Sequence, residues 1–220
     1  MADFHQSGVI TSLHRLGEPD LNRLERDLVR YSDERPVALV LPSLYSEIHG
    51  PALKRIVEEL SRVPYLEQCV VSLSGRADPG QFREMVSLFE RVRSRAGEPP
   101  TIIWNQGPRV EGLFERLREE GLEPGADGKG RANWIAYGYV LATHRARVVA
   151  THDCDILDYG RDLLARLCYP TANPNMGYEF AKGYYSRVSD RMHGRVTRLF
   201  MNPLLRAMKS VLGAVPLPEA

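Results

Sequence analysis

The run Ala146-Arg147-Val148-Val149-Ala150-Thr151-His152-Asp153-Cys154-Asp155-Ile156-Leu157-Asp158 carries the residues best placed to do chemistry. Its first half is apolar and β-branched and reads as a buried parallel strand, which delivers two carboxylates, Asp153 and Asp155, where the strand should end. Side chains at i and i+2 share a face, so the two charges would repel unless a cation sat between them. Hard oxygen donors suit Mg²⁺ or Mn²⁺, which keep several waters and share the remaining coordination with substrate phosphates. Ligands in open α/β sheets bind beyond the carboxyl ends of the strands, so position and chemistry agree. The competing reading is a pair of solvated loop acids or a helix N-cap. His152 should face opposite to Asp153, which makes it a packed or polar structural histidine rather than a ligand.

Two further stretches suit anions. Glu123-Pro124-Gly125-Ala126-Asp127-Gly128-Lys129-Gly130-Arg131-Ala132-Asn133-Trp134 is a glycine-rich loop feeding a helix. Glycines allow close backbone approach, a helix N-terminus offers free N–H groups, and Lys129 adds a point charge, which together fit a phosphate or pyrophosphate. The Walker order and a G-x-G-x-x-G after the first strand are both absent, so neither a P-loop enzyme nor a typical Rossmann dehydrogenase is supported. Gly194-Arg195-Val196-Thr197 follows a loop and opens an apparent helix with Leu199, Leu204, Leu205 and Met208 as its apolar stripe. Backbone N–H groups, the Thr197 hydroxyl and the Arg195 guanidinium would converge there, and a phosphorylated acceptor would fit, with His193 alongside.

The elements that must position these groups alternate along the chain. Leu21, Leu24, Leu28 and Tyr31 give an amphipathic helix in an N-terminal extension of residues 1–35, its stripe covering the main domain or another subunit. Val37 to Leu41 is a continuous apolar strand ended by Pro42, and the loop 43–50 leads to Pro51 and a helix through Leu53, Ile56, Val57 and Leu60. Gln68 to Leu73 is a strand before the loop 74–80, and Phe82, Met85, Val86, Phe89 and Val92 mark the next helix. Thr101 to Trp104 is a third strand, followed by a helix through Val110, Leu113, Phe114 and Leu117. This alternation predicts an α/β fold with a mostly parallel, doubly wound sheet flanked by helices.

Composition narrows the class. A chain of 220 residues with 43% hydrophobic and 26% charged content can bury a core, and its formal charge of +1 provides no basic field for nucleic acid. The three cysteines, Cys69, Cys154 and Cys168, lack metal-ligand spacing and a secretory context, as expected of reduced thiols in a cytoplasmic protein. No apolar run approaches bilayer length, so no membrane is expected as a partner.

Taken in order, Pro42 with Glu47, a strand ending at Ser74, Gly-Lys-Gly before a helix and then Asp153-Cys154-Asp155 make the sequence resemble the nucleotide-sugar half of GT-A glycosyltransferases, in which a metal held by an Asp-x-Asp pair grips the donor diphosphate. Tyr178-Glu179-Phe180-Ala181-Lys182-Gly183-Tyr184-Tyr185-Ser186-Arg187, Gly194-Arg195-Val196-Thr197-Arg198-Leu199 and Asn202-Pro203-Leu204-Leu205 look like the signature of glucosyl-3-phosphoglycerate synthases and their mannosyl-transferring relatives. The resemblance covers most of residues 36 to 208. It implies a metal-dependent, retaining transferase with a GT-A domain over 36–220, moving glucose from a nucleoside-diphosphate sugar to 3-phosphoglycerate. Mannosyl transfer, a phosphohydrolase built on His152, Asp153, Asp155 and Asp158, and a non-catalytic nucleotide-sugar-binding domain are the alternatives.

Residue by residue, the resemblance implies that Pro42, Ser43, Leu44 and Glu47 contact the nucleoside, Ser74 a uracil-like base, Lys129 the diphosphate region and Asp153 the ribose or sugar, with Cys154 beside them. Asp155 would be the direct ligand of Mg²⁺ or Mn²⁺, with Asp153 near it. Lys182, Gly194, Arg195, Val196 and Thr197 would hold the acceptor, and a homodimer is expected. No carboxylate declares itself a nucleophile, and in retaining members of the fold a donor phosphate oxygen is thought to take the acceptor proton. The first loop is less acidic than the family's, and Leu73 stands where an acid is usual, so donor base and hexose stay open. Such relatives continue beyond the point matching Leu212 with a histidine that completes the metal shell, so the chain is expected to lack its C-terminal part and to turn over weakly.

Overall fold

The computed structural model describes residues 13, 17, 18, 20–75, 77–183, 200, 203, 204, 207 and 208. The chain divides into two compact units, Pro19–Ala181 and a second made of Met1–Glu18 with Lys182–Ala220. The first holds four parallel strands: β1 (Val37–Leu44), β2 (Leu66–Ser74), β3 (Thr101–Trp104) and β4 (Val148–Thr151). Their order is β3-β2-β1-β4, so the chain winds outward from β1 to β3 and then crosses back to the far side of β1. That reversal opens a crevice beyond the carboxyl ends of β1 and β4, where ligands of open α/β sheets bind.

Strand alternation sends neighbouring residues to opposite faces, and both faces are covered. Leu39, Leu41, Cys69, Val71 and Leu73 pack on the side of α1 (Leu21–Tyr31), α2 (Pro51–Leu60), α3 (Pro79–Leu88) and α6 (Arg161–Ala172). Ala38, Val40, Val70 and Ile103 pack with Phe114 of α4 (Pro108–Glu119) and with Ile135, Ala136 and Val140 of α5 (Lys129–Thr143). Local signals start these helices. Pro51 occupies the first turn of α2, and at α3 Asp78 and Gln81 each accept the other's backbone N–H, at 2.8 and 2.9 Å. Asp20 caps α1, whose Leu28 is fully buried in the same core as α6. Among the described residues, no helix is long and apolar enough to cross a membrane.

Two expectations about elements change. β1 does not end at Pro42 but runs through it to Leu44, pairing with β2 as far as Ser74. The Val40 carbonyl accepts from His152 N–H at 3.2 Å, so the nitrogen of Pro42, two residues on, faces the same side, where the β1–β4 pairing has already ended at Val40–Thr151. A missing donor costs no ladder bond there. The helix α6 was not anticipated; its buried Leu164, Ala165 and Cys168 are spaced for one helical face, but Pro170 in its last turn breaks the expected pattern.

Candidate functional site

The acid turn leaves β4 with its alternation intact. His152 and Cys154 are buried at 4% and 1% exposure while Asp153 and Asp155 are exposed, so the carboxylates share one side and the two other side chains anchor the turn. His152 Nδ1 lies 3.1 Å from the hydroxyl of fully buried Tyr159, and the rings meet edge to face. Burial pushes the imidazole down to about 4, so it is neutral at physiological pH. It points into the core, which removes it from the carboxylates that a phosphohydrolase would have it join. Burial also pushes the Cys154 thiol up, against a smaller lowering influence from Ser43 of β1. Cys69 and Cys168 are pushed up to about 12 by burial alone.

Across the crevice, Lys129 in the first turn of α5 forms an ion pair with Asp153. The bond to Asp153 holds its ammonium above its ordinary value, and the fields of Asp155 and Glu47 add to this. Glu47 follows β1 in a single 3-10 turn (Tyr45–His49) and shapes its own loop. Its Oε2 accepts from the Ser43 hydroxyl at 2.8 Å and from the Leu44 N–H at 2.9 Å. Pro42 and Ser43 are buried beneath this loop, and Leu44 is 49% exposed above it. The structure therefore gathers Ser43, Glu47, Lys129, Asp153, Cys154 and Asp155 around one crevice.

Asp155 makes no hydrogen bond or ion pair with any described residue, and no group of three or more His, Cys, Asp or Glu side chains converges among the described residues. One or two exposed carboxylates without further protein ligands suit an Mg²⁺- or Mn²⁺-type ion that takes its other ligands from water and phosphate. The Lys129 ammonium seated against Asp153 shows that the turn holds positive charge.

Residues that sequence reasoning passed over stand at the end of β3. Asn105 is 2% exposed; its Nδ2 donates to the hydroxyl oxygens of Ser72 at 2.9 Å and Ser74 at 2.8 Å. Gln106 donates to Asp127 at 3.0 Å, Asp127 pairs with Arg131 at 2.8 Å, and the Arg131 guanidinium lies 4.7 Å from the Phe114 ring centre, so this set braces the glycine-rich loop before α5. The available signal was a polar pair placed directly after a strand. Gly107 follows, and a Cβ there would meet Trp104 at 2.7 Å. Gly107→Ala is expected to destabilise by about 1–3 kcal/mol through overpacking, read as a lowered Tm.

Of the acceptor residues expected from sequence, Gly194, Arg195, Val196 and Thr197 lie outside the described residues, as does His193. Lys182 is exposed and belongs to the second unit.

The parallel 3-2-1-4 sheet, with paired acids beyond β4 and a loop-to-helix anion cradle facing them, is a GT-A fold. Two curated relatives match nearly the whole chain, and both are glucosyl-3-phosphoglycerate synthases. That of Persephonella marina is 42% identical over 213 residues, 97% of this chain and 52% of the relative. That of Methanococcoides burtonii is 35% identical over 212 residues, 94% of this chain and 50% of the relative. The chain thus spans about half the length of the curated relatives it matches. Among solved structures, glucosyl-3-phosphoglycerate synthase from Mycobacterium tuberculosis in complex with Mn²⁺, UDP-glucose and phosphoglyceric acid has a TM-score of 0.56 at 24% identity, covering 94% of this chain and 60% of that one. Its complex with Mn²⁺ and UDP-glucose gives 0.55 at 24% identity, covering 93% and 59%. These likenesses carry the fold. No protein-family model matches the chain.

Proposed function

We propose that this chain provides the donor site of a metal-dependent, retaining glucosyltransferase that moves glucose from a nucleoside diphosphate to 3-phosphoglycerate. The observation that carries the reading is the meeting of Lys129, from the start of α5, with the exposed acids after β4 in the crevice beside β1. The names of both curated relatives, and the UDP-glucose, Mn²⁺ and phosphoglyceric acid bound by the Mycobacterium tuberculosis enzyme, support it.

In this reading Asp155 holds the metal and Asp153 orients the ribose or sugar. The ion, when bound, neutralises the departing diphosphate. Lys129 exchanges its bond with Asp153 for the donor's phosphate oxygens, and the α5 N-terminus adds free N–H groups. Ser43, Leu44 and Glu47 form the wall against which the nucleoside lies, with Pro42 beneath and the buried Cys154 anchoring the acid turn. Ser74 meets the base. The geometry favours this reading over a phosphohydrolase, because His152 is turned into the core.

The deciding experiment incubates the protein with Mn²⁺ and UDP-, GDP- or ADP-glucose, or their mannose counterparts, with and without 3-phosphoglycerate, and follows products by mass spectrometry. A glycosylated phosphoglycerate formed only with acceptor present is expected. Sugar or phosphate release that ignores the acceptor would refute the transferase. Arg195→Ala should raise the KM for phosphoglycerate about 10- to 100-fold, from the loss of a charge-assisted hydrogen bond, with donor affinity unchanged. Acceptor titration checks this, and equal use of unphosphorylated glycerate by the parent would remove the phosphate site.

A further inference from the structure

The turn that carries the acids is not held by its own backbone. His152 N–H donates to the Val40 carbonyl of β1, and the Gly160 carbonyl accepts from Leu163 N–H as α6 begins, but the backbone groups of residues 153–158 make no hydrogen bond to any described residue. Side chains hold the turn instead. His152, Cys154 and Tyr159 are buried and Ile156 packs against the core that holds Cys154 and Tyr159, whereas Asp153, Asp155, Leu157 and Asp158 are exposed. The two buried residues that bracket the acids also meet each other, His152 Nδ1 lying 3.1 Å from the Tyr159 hydroxyl. Among the described residues that hydroxyl is the one hydrogen-bond partner of the ring, since His152 Nε2 has none. On its other side the Tyr159 carbonyl accepts from Arg55 Nε of α2 at 2.7 Å.

We infer that Tyr159 and Arg55 are positioning residues for the metal site: the His152–Tyr159 bond clasps the two ends of the acid turn, and Arg55 pins its far end to α2, so that Asp153 and Asp155 are in place before the ion arrives. The inference rests on the donor-site reading above and adds the residues that hold its acids. A turn without backbone bonds of its own can present two exposed carboxylates in many arrangements, and an ion that needs one of them must order each residue against its conformational entropy. A clasp that closes the segment in advance removes that cost, which is how preorganisation raises affinity. The effect falls on the metal because no group of three or more His, Cys, Asp or Glu converges among the described residues, so the ion has few protein ligands to share the loss. Without the Tyr159 hydroxyl the buried imidazole has a partner at neither ring nitrogen, a costly state. Turning towards water relieves it and carries Asp153, the next residue, out of place.

Calorimetric titration of the 220-residue protein with UDP, once with Mn²⁺ and once with chelator, tests this. Tyr159→Phe removes one oxygen and keeps the ring. It is expected to reduce about tenfold the factor by which Mn²⁺ tightens UDP binding, with affinity in chelator little changed. Arg55→Met keeps the stem of an exposed side chain and removes the donor; it should reduce the same factor about threefold, and it decides the matter should Tyr159→Phe fail to fold. Tyr65→Phe is the control, because Tyr65 is fully buried in the same core and its hydroxyl has no partner among the described residues, so the factor should not change. A merely structural role would weaken UDP equally with Mn²⁺ and with chelator, or show the same fall in Tyr65→Phe, and either result would overturn the inference, as would an unchanged factor in either Tyr159→Phe or Arg55→Met once folded. A parent that binds UDP no more tightly with Mn²⁺ than with chelator would overturn the donor-site reading itself.

Discussion

Asp155→Asn is expected to abolish the part of donor binding that depends on Mg²⁺ or Mn²⁺, while unfolding stays within about 0.5 kcal/mol of the parent. The side chain is exposed and makes no hydrogen bond or ion pair with a described residue, so removing its charge disturbs no packing and breaks no bond in the fold. The loss falls on the metal, which the geometry leaves with few protein ligands. Loss of one close charge pair, about 3 kcal/mol or more, corresponds to about 100-fold in affinity. Without metal the sign reverses: a diphosphate approaching the crevice meets one negative charge fewer, so UDP should bind the variant no more weakly than the parent in chelator. Titration of UDP with Mn²⁺ and with chelator checks both halves. A metal-dependent gain that survives in Asp155→Asn would show that the ion is held elsewhere.

Much of this site was legible because strand ends announce themselves. Val37 to Leu41 and Val148 to Thr151 are apolar runs bounded by polar residues, and period-two alternation alone places His152 and Cys154 inward with Asp153 and Asp155 outward, as the structure has them. What periodicity does not contain is who meets whom across the sheet. Lys129 reaches Asp153 because α5 packs across β1 and β2 before the chain crosses to β4, and Asn105 joins Ser72 and Ser74 because β3 pairs with β2 in a register that sets Trp104 beside Leu73. Proline misled in both directions. Pro42 reads as a strand end yet sits where no partner needs its N–H, and Pro170 hides a helix that ends two residues later.

The start of α6, a few residues after the acid turn, is held by a cluster that joins three helices. Arg161, the first residue of α6, donates to both oxygens of Glu25 on α1 at 3.0 and 3.2 Å, and its backbone N–H donates to Glu59 of α2 at 3.2 Å. Glu25 is 6% exposed, and burial, which outweighs the attraction of Arg161, holds its carboxyl above the ordinary 4.5. Arg161→Ala would leave that carboxylate buried without its partner and with Glu59 nearby, at a cost of about 3 kcal/mol, or roughly 6–12 °C in Tm for a unit of this size. The pH dependence has a definite sign. A carboxyl whose folded value is raised takes up its proton more readily in the folded state, so the contribution is fully present below 4.5 and is lost as pH rises through the folded value. Removing Arg161 takes away the lowering influence and raises the folded value further. The deficit of the variant should therefore be largest near neutral pH and shrink towards about pH 4.5. Urea unfolding of parent and variant at pH 7 and pH 5 measures it. A deficit under about 1 kcal/mol at pH 7, or one that is equal at both pH values, would mean that Glu25 is not held by Arg161 in the way described.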